Sequence, residues 1–456
     1  MTMKKEMGTK SLPMLLKGLL LIGLLLAAAC GNNASNEGQQ SNAGPDSTNA
    51  ASNAAPETVK DPVNLKFLYI WPEYEAIMNE TIRLFEEKNP HIQVEPEIVP
   101  WDKAIEVMQT KVAANQAPDV SFGWTHWMAP FVNEVDAAMP LDDYLQQDPA
   151  WEQSFIRSDL LDISVVNADK PFVSNIPFKL SFQVVIYNKK MFSDHQLEVP
   201  QTREQMEQTM EKLAANGIIP LAASGKDGQI DMLKDSFAGM NFVKNGTAQG
   251  AWLAGEESYE SAEYIEAMEL AKQWFSKGFF GKDAFAVGND EIANLLLTKR
   301  AAMILGNNNQ IPTLQEQVDD ELGAFLFPAA EGLKIQAPLT ADGFFVLKTT
   351  QYPDEAVEFL KHLTSEEVQK LWASQSKSMP VLQNLNTGDE TLDGLIDQIA
   401  ASATDYPVQK LTYNPAELSK QLQAAFAEYL LNANADVTAS AKKMEADHRK
   451  AIESSQ

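Results

Sequence analysis

A single thiol is the first candidate for chemistry. Cys30 is the one cysteine in 456 residues, and it closes an apolar run, "LIGLLLAAACGNN" (residues 21–33). With no second cysteine, neither an intramolecular disulfide nor a CxxC site can form. An exposed free thiol is a liability outside a cell unless it is used, so Cys30 reads as a point of modification. The five histidines, His91, His126, His195, His362 and His448, form neither an HExxH motif nor an i, i+4 pair. GxSxG, GxxxxGK[ST] and GxGxxG are absent from the sequence. "KDGQID" (226–231) has the outline of a calcium loop without its acidic ladder or its closing glutamate. The sequence therefore names no catalytic residue, no metal site and no cofactor. Its 63 acidic residues generate many accidental carboxylate pairs, and a glycosidase pair has no signature in one sequence that would separate it from them.

The flanks of Cys30 say what the thiol is for. Lys4, Lys5, Lys10 and Lys17 precede an apolar or small-residue stretch from Gly18 to Ala29. A basic start, an apolar run and a small-residue end make a secretory signal; a membrane span would need about 20 apolar residues. "LAAAC" resembles a bacterial lipobox, in which a peptidase cuts before the cysteine and diacylglycerol is attached to its sulfur. Ala27 stands where the commonest pattern has leucine, and Leu26 is one step further out. The alternative is an ordinary cleaved signal with a chance cysteine. Residues 31–62 contain no aromatic residue, and Val59 is their one branched apolar side chain, too little to offset the entropy of ordering. The expected organisation is a signal peptide at 1–29 and a lipid-anchored disordered tether at 30–62, with a reach of roughly 30 Å. The two acyl chains of a diacylglycerol suffice for stable anchoring where one does not.

The body, about 63–452, exceeds the roughly 250–300 residues at which single cores stop growing, so two lobes are expected. The formal charge is −27, and removing residues 1–29 with their four lysines and one glutamate leaves −30. Such acidity excludes nucleic acid and electrostatic attachment to anionic lipid as partners; it names no ligand. "NLKFLYI" (64–70) reads as a buried strand. Met78, Ile82 and Phe85 share a helix face that ends at Asn89-Pro90, and "HIQVE" alternates as a second strand. Asp102 can cap the next helix, with Ile105, Met108 and Val112 on one face. "APDVSFGW" (117–124) reads as turn, strand and exit. "FQVVIYN" (182–188), a helix at 202–216 and "IIPLAA" (218–223) repeat the alternation, which implies parallel strands with crossover helices. Trp274 and Trp372 lie on apolar helix faces and are expected in the core.

"PDVSFGW", "NIPFKLSFQVVIYNKKMF", "LLLTKRAAMILGNNNQI" and "ADGFFVLKTTQYPDEAVEFLKHLTSEEVQKLW" occur in the order and spacing of the extracellular solute-binding proteins, family 1. The chain resembles these receptors of ABC importers, many of them for sugars and oligosaccharides, over 63 to about 440. The resemblance implies an α/β, bilobal periplasmic-binding-protein-like fold, with two lobes joined by three crossings near Lys179–Ser181, Leu305–Asn307 and Ala341–Phe344. The first lobe would be 63–179 plus 306–341 and the second 181–304 plus 344–452. Ligand would sit between them, outside the carboxyl ends of the strands, and closure would be a hinge motion, for which periplasmic binding proteins are the standard example. The partners implied are a small-molecule carbohydrate and the transmembrane subunits of a permease. The membrane would be touched through the lipid alone, and the receptor would be a monomer on the extracellular face of a Gram-positive cell. Another polar solute as ligand, or a lipid-anchored glycan hydrolase, are the alternatives.

A sugar presents polar edges and an apolar C–H face, so its site needs flat aromatics with amide, carboxylate or hydroxyl groups around them. At the cleft the resemblance implies, the candidates are Trp71 and Glu73 after the first strand, and Trp124 and Trp127 at the end of the PDV strand. Ser181 stands at the first crossing, Asn307 at the second, and Asp342 and Phe344 at the third. Trp252 is the candidate from the second lobe. Many sugar-binding relatives carry an aromatic where this chain has Asn307–Gln310, so hydrogen bonding is expected to replace stacking there.

Overall fold

In the computed structural model, residues 61–100, 103–124, 136–157, 160–161, 172–244, 255–335, 339–403 and 415–453 are described. The signal, Cys30 and nearly all of the tether lie outside them, as do Asp102, Trp127 and Trp252. Strand β1 (Val63–Tyr69) buries five of its seven residues, as the apolar run predicts. Helix α1 (Glu75–Lys88) packs Ile77, Met78, Thr81, Ile82 and Phe85 inward. It stops at Asn89, because the residue before a proline is driven out of the helical region. Strand β2 (Ile92–Ile98) runs parallel to β1. Helix α2 (Ala104–Ala113), with Met108 buried, leads to β3 (Val120–Trp124), also parallel to β1.

Strand β4 (Ile176–Asn188) is longer than the apolar run at 182–188 suggests. Helix α3 (Arg203–Ala215) starts where the Thr202 side chain accepts from Gln205 N, and β5 (Ile219–Ala222) follows it. Helices α4 (Gln229–Lys244) and α5 (Ala262–Ser276) come next, then β6 (Ala301–Asn307), β7 (Leu322–Phe325) and β8 (Leu339–Val346). The chain closes with α6 (Pro353–Leu363), α7 (Glu366–Ser376), α8 (Pro415–Leu431) and α9 (Val437–Glu453).

The strands are ordered β2-β1-β3-β8-β4-β6-β5, with β7 also on β4. The long strand holds this arrangement together. Its first half, Ile176–Phe182, pairs with β8, and Gln183–Tyr187 pairs with β6. One continuous strand thus belongs to two layers, one built on β1–β3 and one on β5–β7. Two buried apolar clusters flank them, one around Phe67, Phe85, Phe344 and Phe359, the other around Met210, Phe237, Trp274 and Phe426. Gly343 is required where β8 meets β4, since a Cβ there would stand 2.3 Å from the Ile176 carbonyl oxygen.

The first crossing, expected at Lys179–Ser181, falls where β4 is still paired with β8; the strand changes partners between Phe182 and Gln183. The assignment of 306–341 to the first lobe requires correction. After Asn307 the chain turns back through Asn308–Gln310, and β7 pairs with Val185–Asn188 in the second half of β4. The assignment of everything after 344 to the second lobe is corrected as well. Phe359 of α6 meets Phe67 and Phe85 at 5.1 and 5.0 Å between ring centres, and Trp372 of α7 donates to Thr81 Oγ1 at 3.0 Å. Both helices therefore pack on β1 and α1. Helices α8 and α9 do join the second layer: Lys272 of α5 donates to the Tyr429 carbonyl, and Glu445 accepts from Tyr259 N. Hydrophobic pattern locates strands but carries no record of which neighbour each will choose. Among the described residues, no helix is long and apolar enough to cross a membrane.

Candidate functional site

The polar groups named from sequence converge where β4 passes between layers. Ser181 faces Thr340 across β4 and β8, and the Thr340 hydroxyl donates to the Ser181 carbonyl at 3.0 Å. From the other side, Asn307 Nδ2 donates to Ser181 Oγ at 2.9 Å and Asn309 Nδ2 to the same oxygen at 3.1 Å. The Asn308–Gln310 turn is held from within: Gln310 Oε1 accepts from Asn307 N at 2.7 Å, and Asn307 Oδ1 accepts from Asn309 N at 2.9 Å. Gly306 makes room for that contact, because a Cβ there would lie 2.8 Å from Gln310 Oε1. Ser181, Asn307 and Gln310 are partly exposed, and Asn309 is exposed. The sequence "NNNQ" thus builds a small hydrogen-bonding platform with donors and acceptors at hand for a polar solute.

Two residues along β8 from Thr340, Asp342 stands opposite Trp124 on β3 and opposite Lys179 on β4. Lys179 Nζ lies 3.3 Å from Asp342 Oδ2, with 8% and 12% of the two side chains exposed. The same ammonium sits 4.7 Å from the centre of the Trp71 ring and 5.6 Å from that of Tyr74. Burial raises the Asp342 pKa, and the neighbouring Lys179 works in the opposite direction. Burial is also the main cause of the raised Tyr74 pKa, with Glu73 and Asp342 adding to it.

Two expected ligand faces are placed in the core instead. Phe344 is 1% exposed and packs against Phe67, Trp71 and Phe178 at 5.2, 5.7 and 5.2 Å. Trp71 is 6% exposed, with Phe122, Phe178 and Trp372 within 6.0 Å of its ring centre and Lys179 over its face. Alternation along a strand shows which side chains share a face but not that the opposite layer supplies further rings to close over them. Glu73 is exposed on the short turn Pro72–Tyr74. Trp124 is placed by its backbone at the end of β3, while Trp127 and Trp252 fall outside the described residues. Lys179, Thr340 and Asn309 were not among the residues selected from sequence. The signal for Lys179 was available: it is the one charged residue within the 13-residue strand β4.

The sequence matches the family described as bacterial extracellular solute-binding protein over residues 71–370. It is 22% identical over 329 residues to the multiple sugar-binding protein of Streptococcus mutans, covering 68% of this chain and 73% of that one. Among solved structures, it is similar to the sugar-binding protein MalE from Xanthomonas citri, with a TM-score of 0.70 and 15% identity over 86% of this chain and 98% of the other. RafE from Streptococcus pneumoniae, in its apo form, gives a TM-score of 0.70 and 18% identity over 88% and 99%. At these identities the likeness establishes the fold, that of the bilobal periplasmic binding proteins.

Proposed function

Because the chain belongs to the bacterial extracellular solute-binding protein family, we propose that it is the receptor of an ABC importer, that its solute is a carbohydrate, and that it binds and releases that carbohydrate unchanged. The observation that carries the reading is the hydroxyl and amide platform of Ser181, Asn307, Asn309 and Thr340 at the junction of the two layers. Donors and acceptors at such a junction suit the polar edges of a sugar. The names of the relatives, a multiple sugar-binding protein and the sugar-binding protein MalE, favour the same class. The contacts assigned to the ligand are Trp124, Ser181, Asn307 and Asp342, with Glu73 at the rim; Trp127 and Trp252 remain assigned from sequence. A panel of mono- and oligosaccharides in a thermal-shift assay tests this. A sugar at 100 times its dissociation constant should add about 2.7 kcal/mol of stability. Trp124→Ala should weaken its binding by roughly 2 kcal/mol, about thirtyfold. Stabilisation by another class of polar solute alone would replace the ligand, and sustained cleavage of a bound glycan would replace the receptor with a hydrolase.

The second part of the reading is the anchor. Cys30 carries diacylglycerol, the segment before it is removed, and residues 31–62 tether the body to the outer face of the membrane, beside the permease. Cys30→Ser should release the protein into the medium with its melting temperature unchanged, because the first described strand begins at Val63. A variant that stayed in the membrane fraction would refute acylation as the means of attachment.

A further inference from the structure

Asn308 is 3% exposed, and both ends of its amide are spent on the backbone of another strand. Its Nδ2 donates to the Leu180 carbonyl at 3.0 Å and its Oδ1 accepts from Phe182 N at 2.8 Å. In a β-strand the N–H and C=O of one residue point to the same edge, and those of its neighbours to the other. Leu180 and Phe182 therefore share one edge of β4, and Ser181 presents the opposite edge to β8. Along the first edge, Leu180 N donates to the Met379 carbonyl at 3.0 Å, in the stretch that follows α7. Further on, from Gln183, the edge is taken by β6. Between these two neighbours lie Leu180 O and Phe182 N, the two backbone groups that the Asn308 amide engages. A buried backbone group without a partner costs about as much as a lost hydrogen bond, and the Asn308 amide serves both.

We infer that Asn308 is the pin of the interlobe junction: its side chain stands in for a peptide on either side of Ser181, joins the edge supplied by the first layer to the edge supplied by the second, and so sets the angle at which β4 leaves one for the other. The side chain suits the task because an amide presents one donor and one acceptor side by side, as a peptide does. Aspartate cannot donate, and glutamine is longer by a methylene. The pin also fixes the platform, since Ser181 lies between its two attachment points and Asn307 and Asn309 flank it in sequence. The inference rests on the fold and on these hydrogen bonds. It holds whatever solute the receptor takes, so its failure would be distinct from failure of the carbohydrate assignment.

The test reads the angle in ligand-free protein. In the full chain carrying Cys30→Ser, spin labels are placed on cysteines introduced at two exposed positions, Asn79 on α1 and Glu269 on α5, and the distance distribution between them is measured by pulsed electron resonance. Asn308→Ala should broaden that distribution and shift its centre. Leu145→Ala, a core truncation in the first layer, should lower the melting temperature without broadening it. If Asn308→Ala does not fold, Asn308→Asp, which keeps the acceptor for Phe182 N and loses the donor to Leu180 O, must broaden the distribution. An unaltered distribution in a folded Asn308 variant, whatever its melting temperature, overturns the inference, as does equal broadening by Leu145→Ala.

Discussion

Asp342→Ala is expected to cost about 3–5 kcal/mol of folding stability, the range found when one partner is removed from a buried ion pair. The reason lies with the residue left behind. Lys179 stays on β4 with 8% of its side chain exposed, and its ammonium loses the carboxylate 3.3 Å away. Its contacts with the rings of Trp71 and Tyr74 persist, but a cation–π contact contributes about 0.5–2 kcal/mol, less than the desolvation of an uncompensated charge. The pair itself is a different matter. The Asp342 pKa is raised because burial opposes its charge more than Lys179 favours it. Replacing both residues with apolar ones of similar size, Lys179→Met with Asp342→Leu, should therefore be neutral or stabilising. Urea unfolding of the wild type, the single variant and the double variant decides the matter. A single variant within about 1 kcal/mol of wild type, the scale of an exposed pair, would show that water reaches the ammonium. A double variant as unstable as the single one would show that packing is at stake, not charge.

The same pair shows how far the sequence could be read. Because burial on one face is imposed by period alone, apolar runs and their spacing located β1, α3 and the end of α1 to within a residue or two and placed β3 within "APDVSFGW", while β2 runs three residues beyond "HIQVE". Trp274 and Trp372 were likewise legible as core from the helix faces they occupy, and they are 0% and 2% exposed. Partnership was not legible in the same way. Nothing local in "LTADGFFV" or "NIPFKLSF" says that Lys179 will face Asp342, or that β7 will return to β4 instead of crossing to β1. These choices depend on residues far apart in the chain. Trp71 illustrates the consequence: its position after the first strand was visible, but the rings that cover it come from β3, β4 and α7. For the platform the residue types were informative. Consecutive asparagines after a glycine signal a turn whose side chains bond to backbone. That one amide would span two residues of another strand could be seen only in the structure.

A second large effect should follow pH through a cluster in the other layer. Lys234 on α4, with 1% of its side chain exposed, is shared by two carboxylates of the same helix, Asp231 at 3.5 Å and Asp235. From α5, Tyr264 hydrogen-bonds to Lys234 and donates to Asp235 Oδ1 at 2.9 Å. From α8, Phe426 presents its ring 5.1 Å from the ammonium. Two acids compete for one base where water is scarce. Burial works to lower the Lys234 pKa, but Asp231 and Asp235 outweigh it and hold it raised. Asp231 takes the cost: burial first, and then the charge of Asp235, push it up to about 7 against the pull of Lys234. A carboxylate whose pKa is higher in the folded than in the unfolded state binds its proton more tightly when folded. Its contribution to stability is present in full below the unfolded value, near pH 4, and is lost as pH rises through about 7. At about 1.4 kcal/mol for each tenfold difference in proton affinity, the loss is on the order of a few kcal/mol. Asp231→Asn keeps the shape and removes the charge. It should come level with wild type near pH 4, exceed it increasingly between pH 4 and pH 7 and by most at pH 8, and give a flatter profile throughout, as read by urea unfolding at each pH. Lower stability of Asp231→Asn at pH 8 would mean that the attraction to Lys234 outweighs burial and that Asp231 is ionised in the folded protein.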